Sequence, residues 1–360
     1  MKSRKIIFYS AVLLLAGYLA GALSTKLNLP PVAWIIKYLA KKNVAAKKQD
    51  ILLSYFTTPV EQSHQPLRHK AVQSLAELKV HIDALAYPVD SFETAYSHVK
   101  IISAITEGEI AAVAFEYNKH IDTAFAFFRK RIGYNDNTSA AFNIIPGSGI
   151  NQSTAMYYDI AGNYQMNIDN IAEKYGDVYI LVKPNEDFLA IHNGSKKVDV
   201  TAFVNYLLNK GSSYSACYMI QSLALSKYLQ SKYEKLYVCG LSQGGGAALM
   251  NALQSQPYKA IVASGFSVLM DYPHLNAHDQ IIIPGYMRGF DINEIKSQIQ
   301  QSATRYLFTW GQQESGIYGL EARDKPTAAF FDGIKNVNTI VHPMAHMYFE
   351  PLIDSFIRIP

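Results

Sequence analysis

The pentapeptide Gly240-Leu241-Ser242-Gln243-Gly244 constrains the fold of this chain more than any other stretch. The run before it, 235–239, is short, apolar and rich in β-forming residues, so it reads as a buried strand. The run after it, 247–254, holds strong helix formers and almost no β-branched residue. A strand that becomes a helix within a few residues needs a very tight turn. Glycines at 240 and 244 allow it, because a side chain at either position would collide with the neighbouring strand and helix. Two further glycines, Gly245 and Gly246, follow. Such a turn lifts the Ser242 oxygen out of the backbone and aims the helix N-terminus at it. Alone, G-x-S-x-G is a weak signal; between a strand and a helix it is a strong one.

The rest of the chain can be ordered around that turn. From residue 109 the hydrophobic period changes from helical to alternating. Residues 110–117 and 122–128 read as a strand pair, and 141–145 as a third strand, ending in Pro146-Gly147-Ser148-Gly149. A helix to about residue 175 precedes a strand at 177–183. Helical stretches at about 200–209 and 214–232 lead to the strand before Ser242. Strands follow at 259–263, 305–310 and 338–341, with a closing helix at 348–357 and a linking insertion at about 267–302. Antiparallel strands followed by alternating β and α predict a mostly parallel eight-stranded sheet with helices on both faces.

With the serine turn after the fifth strand, residues 109–360 resemble the α/β-hydrolase superfamily, and Ser242 stands at its nucleophile position. The first 108 residues lie outside the resemblance. A serine is a weak nucleophile near neutral pH and needs a base, itself oriented by a carboxylate. The superfamily's chain order is serine, acid, histidine. The acid often follows the seventh strand, three residues past a glycine, which here is Glu314 after Gly311, although aspartate is commoner there. Asp271, Asp324 and Asp332 compete with it. The base is expected at His346, just before the closing helix, rather than at His342, which ends the last strand. For the oxyanion hole the resemblance implies the backbone N–H of Gln243 and that of Ser148 or Gly149, in a loop lacking the His-Gly common in lipases and esterases.

The N-terminus has a different character. The chain holds 33 Lys/Arg and 29 Asp/Glu, but nine of those bases and one acid fall in the first fifty residues, a local +8 that leaves −4 for the rest. Basicity confined to one end argues against a nucleic-acid-binding fold. Residues 6–25 carry no charge and would span about 30 Å as a helix, one bilayer core. They read as a single-pass transmembrane anchor, with a signal segment cleaved after Ala20-Gly21-Ala22 as the alternative. Residues 30–48, lysine-rich with Trp34 and Tyr38, read as an amphipathic membrane-surface or linker helix. Residues 26–108 as a whole read as a helical membrane-proximal region. Cys217 and Cys239 make neither a disulfide framework nor a metal set, and Cys239 reads as a small core residue. No metal-ligand spacing or phosphate-binding loop is present, so no cofactor is expected.

These readings converge on a membrane-tethered serine hydrolase with an extracytoplasmic, periplasmic catalytic domain, or a secreted one if the segment is cleaved. Its expected substrate is a small-molecule, glycan or lipid ester, such as an acylated cell-envelope glycan. An acyltransferase using the same triad and a non-catalytic binding module on the same fold are the rivals.

Overall fold

The computed structural model of the chain describes residues 96–117, 120–131, 139–149, 151–160, 164, 166–184, 186, 204, 213–265, 292–314 and 328–359. The expected anchor at 6–25 and amphipathic run at 30–48 lie outside the described residues. Among the described residues no helix is long and apolar enough to cross a membrane.

Among the described residues one nine-stranded sheet organises the molecule. Its strands are β1 (Lys100–Glu107), β2 (Ile110–Tyr117), β3 (His120–Arg129), β4 (Ala140–Ile145), β5 (Asp177–Leu181), β6 (Lys235–Leu241), β7 (Lys259–Ala263), β8 (Arg305–Gly311) and β9 (Val337–His342). Their spatial order is β1-β2-β3-β5-β4-β6-β7-β8-β9. β1, β2, β3 and β5 pair antiparallel in turn, and every pair from β5 onward is parallel. All eight expected strands are present, and counted from β2 the serine turn follows the fifth. The expectation of eight is corrected to nine by β1, which lies in a stretch read as helical. The β-branched residues Ile101, Ile102, Ile105 and Thr106 favour an extended chain. Gly108, at φ 55°, makes the tight turn that folds β1 back on β2.

Helices cover both faces, and period-two alternation along the strands sorts the core between them. From β6, Tyr237, Cys239 and Leu241 point to the face covered by α1 (Gln152–Tyr157), α2 (Ile168–Lys174) and α6 (Glu350–Arg358), where Met156, Ile171 and Phe356 meet them. Leu236 and Val238 point to the other face, against Leu223 and Leu229 of α3 (Tyr214–Gln230) and Ala248 of α4 (Gln243–Ser255). Each large apolar side chain buried this way contributes about 1.5–3 kcal/mol. The single helix expected before β5 is two, α1 and α2. Asp159 breaks the first at φ 48°, and Asn167 starts the second by accepting a hydrogen bond from the Asn170 N–H. Of the expected insertion at 267–302, the described residues begin at 292. Its end forms α5 (Ile292–Gln301), which buries Ile295 and Ile299 against Leu249, Phe308 and Trp310.

A buried polar network fixes how α3 and α4 sit on the sheet. Asn143 Nδ2 of β4 donates to Ser226 Oγ at 2.9 Å, and Ser226 Oγ donates to Asn251 Oδ1 at 3.0 Å. Asn251 Nδ2 in turn donates to Ser222 Oγ at 3.1 Å. A buried network of this kind specifies one arrangement of the elements it joins, and α4 is the helix that begins at Ser242.

Candidate active site

Parallel registry brings the site together. Leu241 pairs with Ala263, Ala263 with Thr309, and Gly311 with His342. The C-terminal ends of β6, β7, β8 and β9 are therefore aligned, and the residues just beyond them, 242, 264, 314 and 346, share one edge of the sheet. Ligand sites of open α/β sheets lie at this edge.

Ser242 occupies a strained turn at φ 59° and ψ −120°, a region that costs a non-glycine residue about 1–3 kcal/mol. Neighbouring hydrogen bonds hold it there: Ser242 N–H donates to Ala263 O at 2.8 Å, and Gly245 N–H donates to Ser242 O at 3.0 Å. The glycines are sterically required, as the sequence implied. A Cβ on Gly240 would lie 1.9 Å from Gly244 O, and one on Gly244 would lie 2.0 Å from Ile145 O. Gly245 faces a similar approach, 2.8 Å from Ala263 O, whereas Gly246 would meet nothing closer than 3.7 Å. Gln243 opens α4, where a backbone N–H has no carbonyl one turn back to bond.

Glu314 and His346 are adjacent. The Glu314 side chain is fully buried, and its Oε2 accepts from His346 Nδ1 at 3.1 Å. A carboxylate only accepts, so Nδ1 carries a proton, the tautomer in which a neutral ring offers its Nε2 lone pair. The other carboxylate oxygen, Oε1, accepts from Gly311 N–H at 2.8 Å and from Ser264 Oγ at 2.5 Å. Burial pushes the Glu314 carboxyl up, but the hydrogen bonds from His346, Ser264 and Gly311 outweigh it and hold it below the usual value. The carboxylate is thus held ionised and hydrogen-bonded to His346. Of its rivals, Asp271 and Asp324 lie outside the described residues, and Asp332 is exposed after β8.

His342 has a different environment. Only 2% exposed, it stacks on Phe349 with centroids 5.2 Å apart. Its Nδ1 accepts from Met344 N–H at 3.3 Å, and its Nε2 has no partner among the described residues. Burial pulls its pKa down, against a smaller upward pull from Glu314. This is a packed, neutral strand-end histidine.

The loop carrying Ser148 and Gly149 leaves β4 beside the serine turn. A Cβ on Gly147 would lie 3.1 Å from Leu241 O, and Gly149 sits at φ 108°, which favours glycine. Two residues that sequence reasoning missed complete the surroundings. Ser264, itself at φ 50°, donates to Glu314; the parallel registry of β7 with β8, which no local pattern encodes, places it there. Tyr164 bridges the site: its hydroxyl donates to Ser148 O at 3.0 Å, its ring lies edge-on to His346 at 5.9 Å, and its carbonyl accepts from Tyr348 N–H at 2.9 Å. No sequence pattern marks it, because it stands in a turn between α1 and α2. Among the described residues no cluster of three or more His, Cys, Asp or Glu could hold a metal.

Neither a protein-family model nor a curated protein matches the sequence. Solved structures with a similar chain path include a carbohydrate esterase family 15 glucuronoyl esterase from Caldicellulosiruptor kristjansonii, 11% identical over 83% of this chain and 88% of that one, with a TM-score of 0.46. Est1E from Butyrivibrio proteoclasticus is 13% identical over 68% of this chain and 95% of its own, with a TM-score of 0.43. A cold-adapted esterase from an Arctic intertidal metagenomic library is 11% identical over 71% and 96%, with a TM-score of 0.42. At such distances what those proteins act on says nothing of this chain. Its own strand order, right down to the glycine-bounded serine turn after β6, is that of an α/β-hydrolase fold.

Proposed function

We propose that the protein is a carboxylic ester hydrolase working through an acyl-enzyme on Ser242, with His346 as base and Glu314 as orienting acid. The observation that carries this reading is the Glu314–His346 hydrogen bond at the sheet edge where Ser242 is held in its strained turn. Ser242 Oγ attacks the ester carbonyl carbon while its proton passes to His346 Nε2. The new oxyanion is held by the Gln243 N–H at the start of α4 and by an amide of loop 146–149. Collapse breaks the ester C–O bond, and His346 returns the proton to the departing alcohol. Water then repeats the sequence on the acyl-enzyme and releases the acid.

A fluorophosphonate probe should label the wild-type protein and not Ser242→Ala, and hydrolysis of p-nitrophenyl esters of rising chain length should fall by about 10⁶ in that variant. Covalent labelling that persists in Ser242→Ala would remove Ser242 from the mechanism. Acyl transfer to an added alcohol outrunning hydrolysis would make the protein a transferase instead. The membrane tether and extracytoplasmic placement belong to the same proposal and rest on the apolar run 6–25. Deleting residues 1–25 should move the protein from the membrane to the soluble fraction, and a mature chain starting at Leu23 would replace the anchor with a cleaved signal.

A further inference from the structure

Loop 146–149 has an unusual set of partners. Each of its four consecutive carbonyls accepts a hydrogen bond from a side chain. Pro146 O accepts from the Tyr218 hydroxyl of α3 at 2.5 Å, and Ser148 O from the Tyr164 hydroxyl at 3.0 Å. Lys183, two residues past β5, donates its Nζ to both Gly147 O at 2.8 Å and Gly149 O at 2.5 Å. Lys183 is 0% exposed, and a buried ammonium is costly unless its donors are used. The neighbouring buried carboxylate, Glu186, accepts from Ser153 N–H and Ser153 Oγ at 3.0 Å each, fixing the start of α1 directly after the loop.

A trans peptide points its C=O and its N–H in opposite directions. The Gly147 carbonyl faces the buried Lys183, so the Ser148 N–H faces away from the interior. The Ser148 carbonyl faces the Tyr164 hydroxyl on the side where His346 stands, so the Gly149 N–H faces away from that side. Of the two amides that the sequence left open, the Ser148 N–H belongs to the peptide whose carbonyl is held in the interior, the orientation a donor to the oxyanion requires. A cation on the Gly147 carbonyl also polarises the same peptide unit and makes its N–H a stronger donor.

We propose that Lys183 is the positioning residue of the oxyanion hole and that the Ser148 N–H is the hole's second donor. This rests on the hydrolase reading above and deepens it. Lys183 touches no substrate; it holds the 147–148 peptide in the orientation that the developing oxyanion needs.

The test compares full-length variants per active site, titrated to completion with the fluorophosphonate probe. Lys183→Met keeps the stem and removes the donors. Its kcat should fall by about 10²-fold, as for loss of one oxyanion donor, with KM within about threefold. Affinity for a boronic-acid transition-state analogue should fall by the same factor. A merely structural lysine would lower the melting temperature and leave kcat per labelled site unchanged, and that result overturns the proposal. Ser148→Pro, lacking the N–H, should match Lys183→Met. A Ser148→Pro variant at wild-type kcat would remove Ser148 as donor. If Lys183→Met does not fold, Tyr218→Phe, which deletes one anchoring hydroxyl, should lower kcat about tenfold at unchanged KM; wild-type kcat there overturns the clamp. Wild type and Ser242→Ala run alongside. If wild type fails to label, the hydrolase reading falls and this one with it. If it labels and Lys183→Met turns over normally, only the Lys183 assignment falls.

Discussion

At the scale of single residues, the most informative group is Glu314, because three hydrogen bonds compete with burial for control of its charge. Glu314→Gln keeps its shape but loses the charge and presents an N–H to His346, favouring the wrong tautomer. Turnover should fall by about 10³ to 10⁴ with KM little changed, measured by steady-state kinetics. Asp271→Asn should stay within a few-fold of wild type; if it is the crippling change, the acid follows β7. Ser264→Ala removes the 2.5 Å hydrogen bond to Oε1, a bond to a charged group worth about 1.5–3 kcal/mol. It should lower kcat about tenfold and also shift stability with pH. Because the folded Glu314 pKa lies below its ordinary 4.5, its contribution is full above about that pH and is lost as pH falls through the folded value. Removing the Ser264 donor raises the folded pKa toward 4.5. The acid unfolding midpoint, followed by circular dichroism, should therefore move to higher pH. His346→Ala should cost as much as Ser242→Ala, whereas His342→Ala should mainly cost stability, through its lost stacking on Phe349.

At the scale of elements, the serine turn and α4 behave as one unit whose glycines are not equivalent. A Cβ on Gly244 would meet Ile145 O at 2.0 Å and Pro146 O at 2.5 Å, so Gly244→Ala must push α4 off the end of β4 and its loop. Displacing that junction by about 1 Å is enough to cost about 10²-fold in turnover. Gly246 lies inside α4 with nothing within 3.4 Å of an added Cβ, so alanine there meets ordinary space. Gly246→Ala should stabilise the protein by about 0.5–1 kcal/mol through reduced backbone entropy, with kcat near wild type. Thermal unfolding of the two variants checks both expectations, and equal losses in both would show that the whole glycine run is sterically required.

At the scale of the whole molecule, one buried cation closes the fold. Lys259, at the start of β7, is 0% exposed, and its Nζ donates to Phe356 O and Ile357 O at 2.9 Å each and also to Ile359 O. It caps the C-terminal carbonyls of α6, the helix that follows His346, and a cation there also meets the negative end of the helix dipole. Lys259→Met removes the shared donor of those carbonyls, leaving Ile359 O only the longer bond from Arg305 at 3.4 Å, and should cost about 2–4 kcal/mol, read as a lower denaturation midpoint. Limited proteolysis should then clip α6 before the central strands. Unchanged proteolytic resistance would show that Ile353, Phe356 and Ile357 dock the helix without the lysine.

What the sequence determined by itself was local. Chain-neighbour chemistry marked the eight strands from β2 to β9, the turn at Ser242 and the loop after β4, because period-two burial and glycine spacing are written in consecutive residues. It misread 100–107 as helical although that segment's isoleucines and Thr106 favour strand, and it ran α1 and α2 together because Asp159 at positive φ gives no compositional sign. The resemblance had already pointed to Glu314 and His346, but the hydrogen bond between them, the contacts of Ser264 and Tyr164, and the carbonyl clamp of Lys183 were decided only by tertiary structure. Each joins residues far apart in the chain, 50 positions for Ser264 and Glu314 and 36 for Lys183 and Gly147. Parallel registry and burial, not local pattern, bring them within hydrogen-bonding distance.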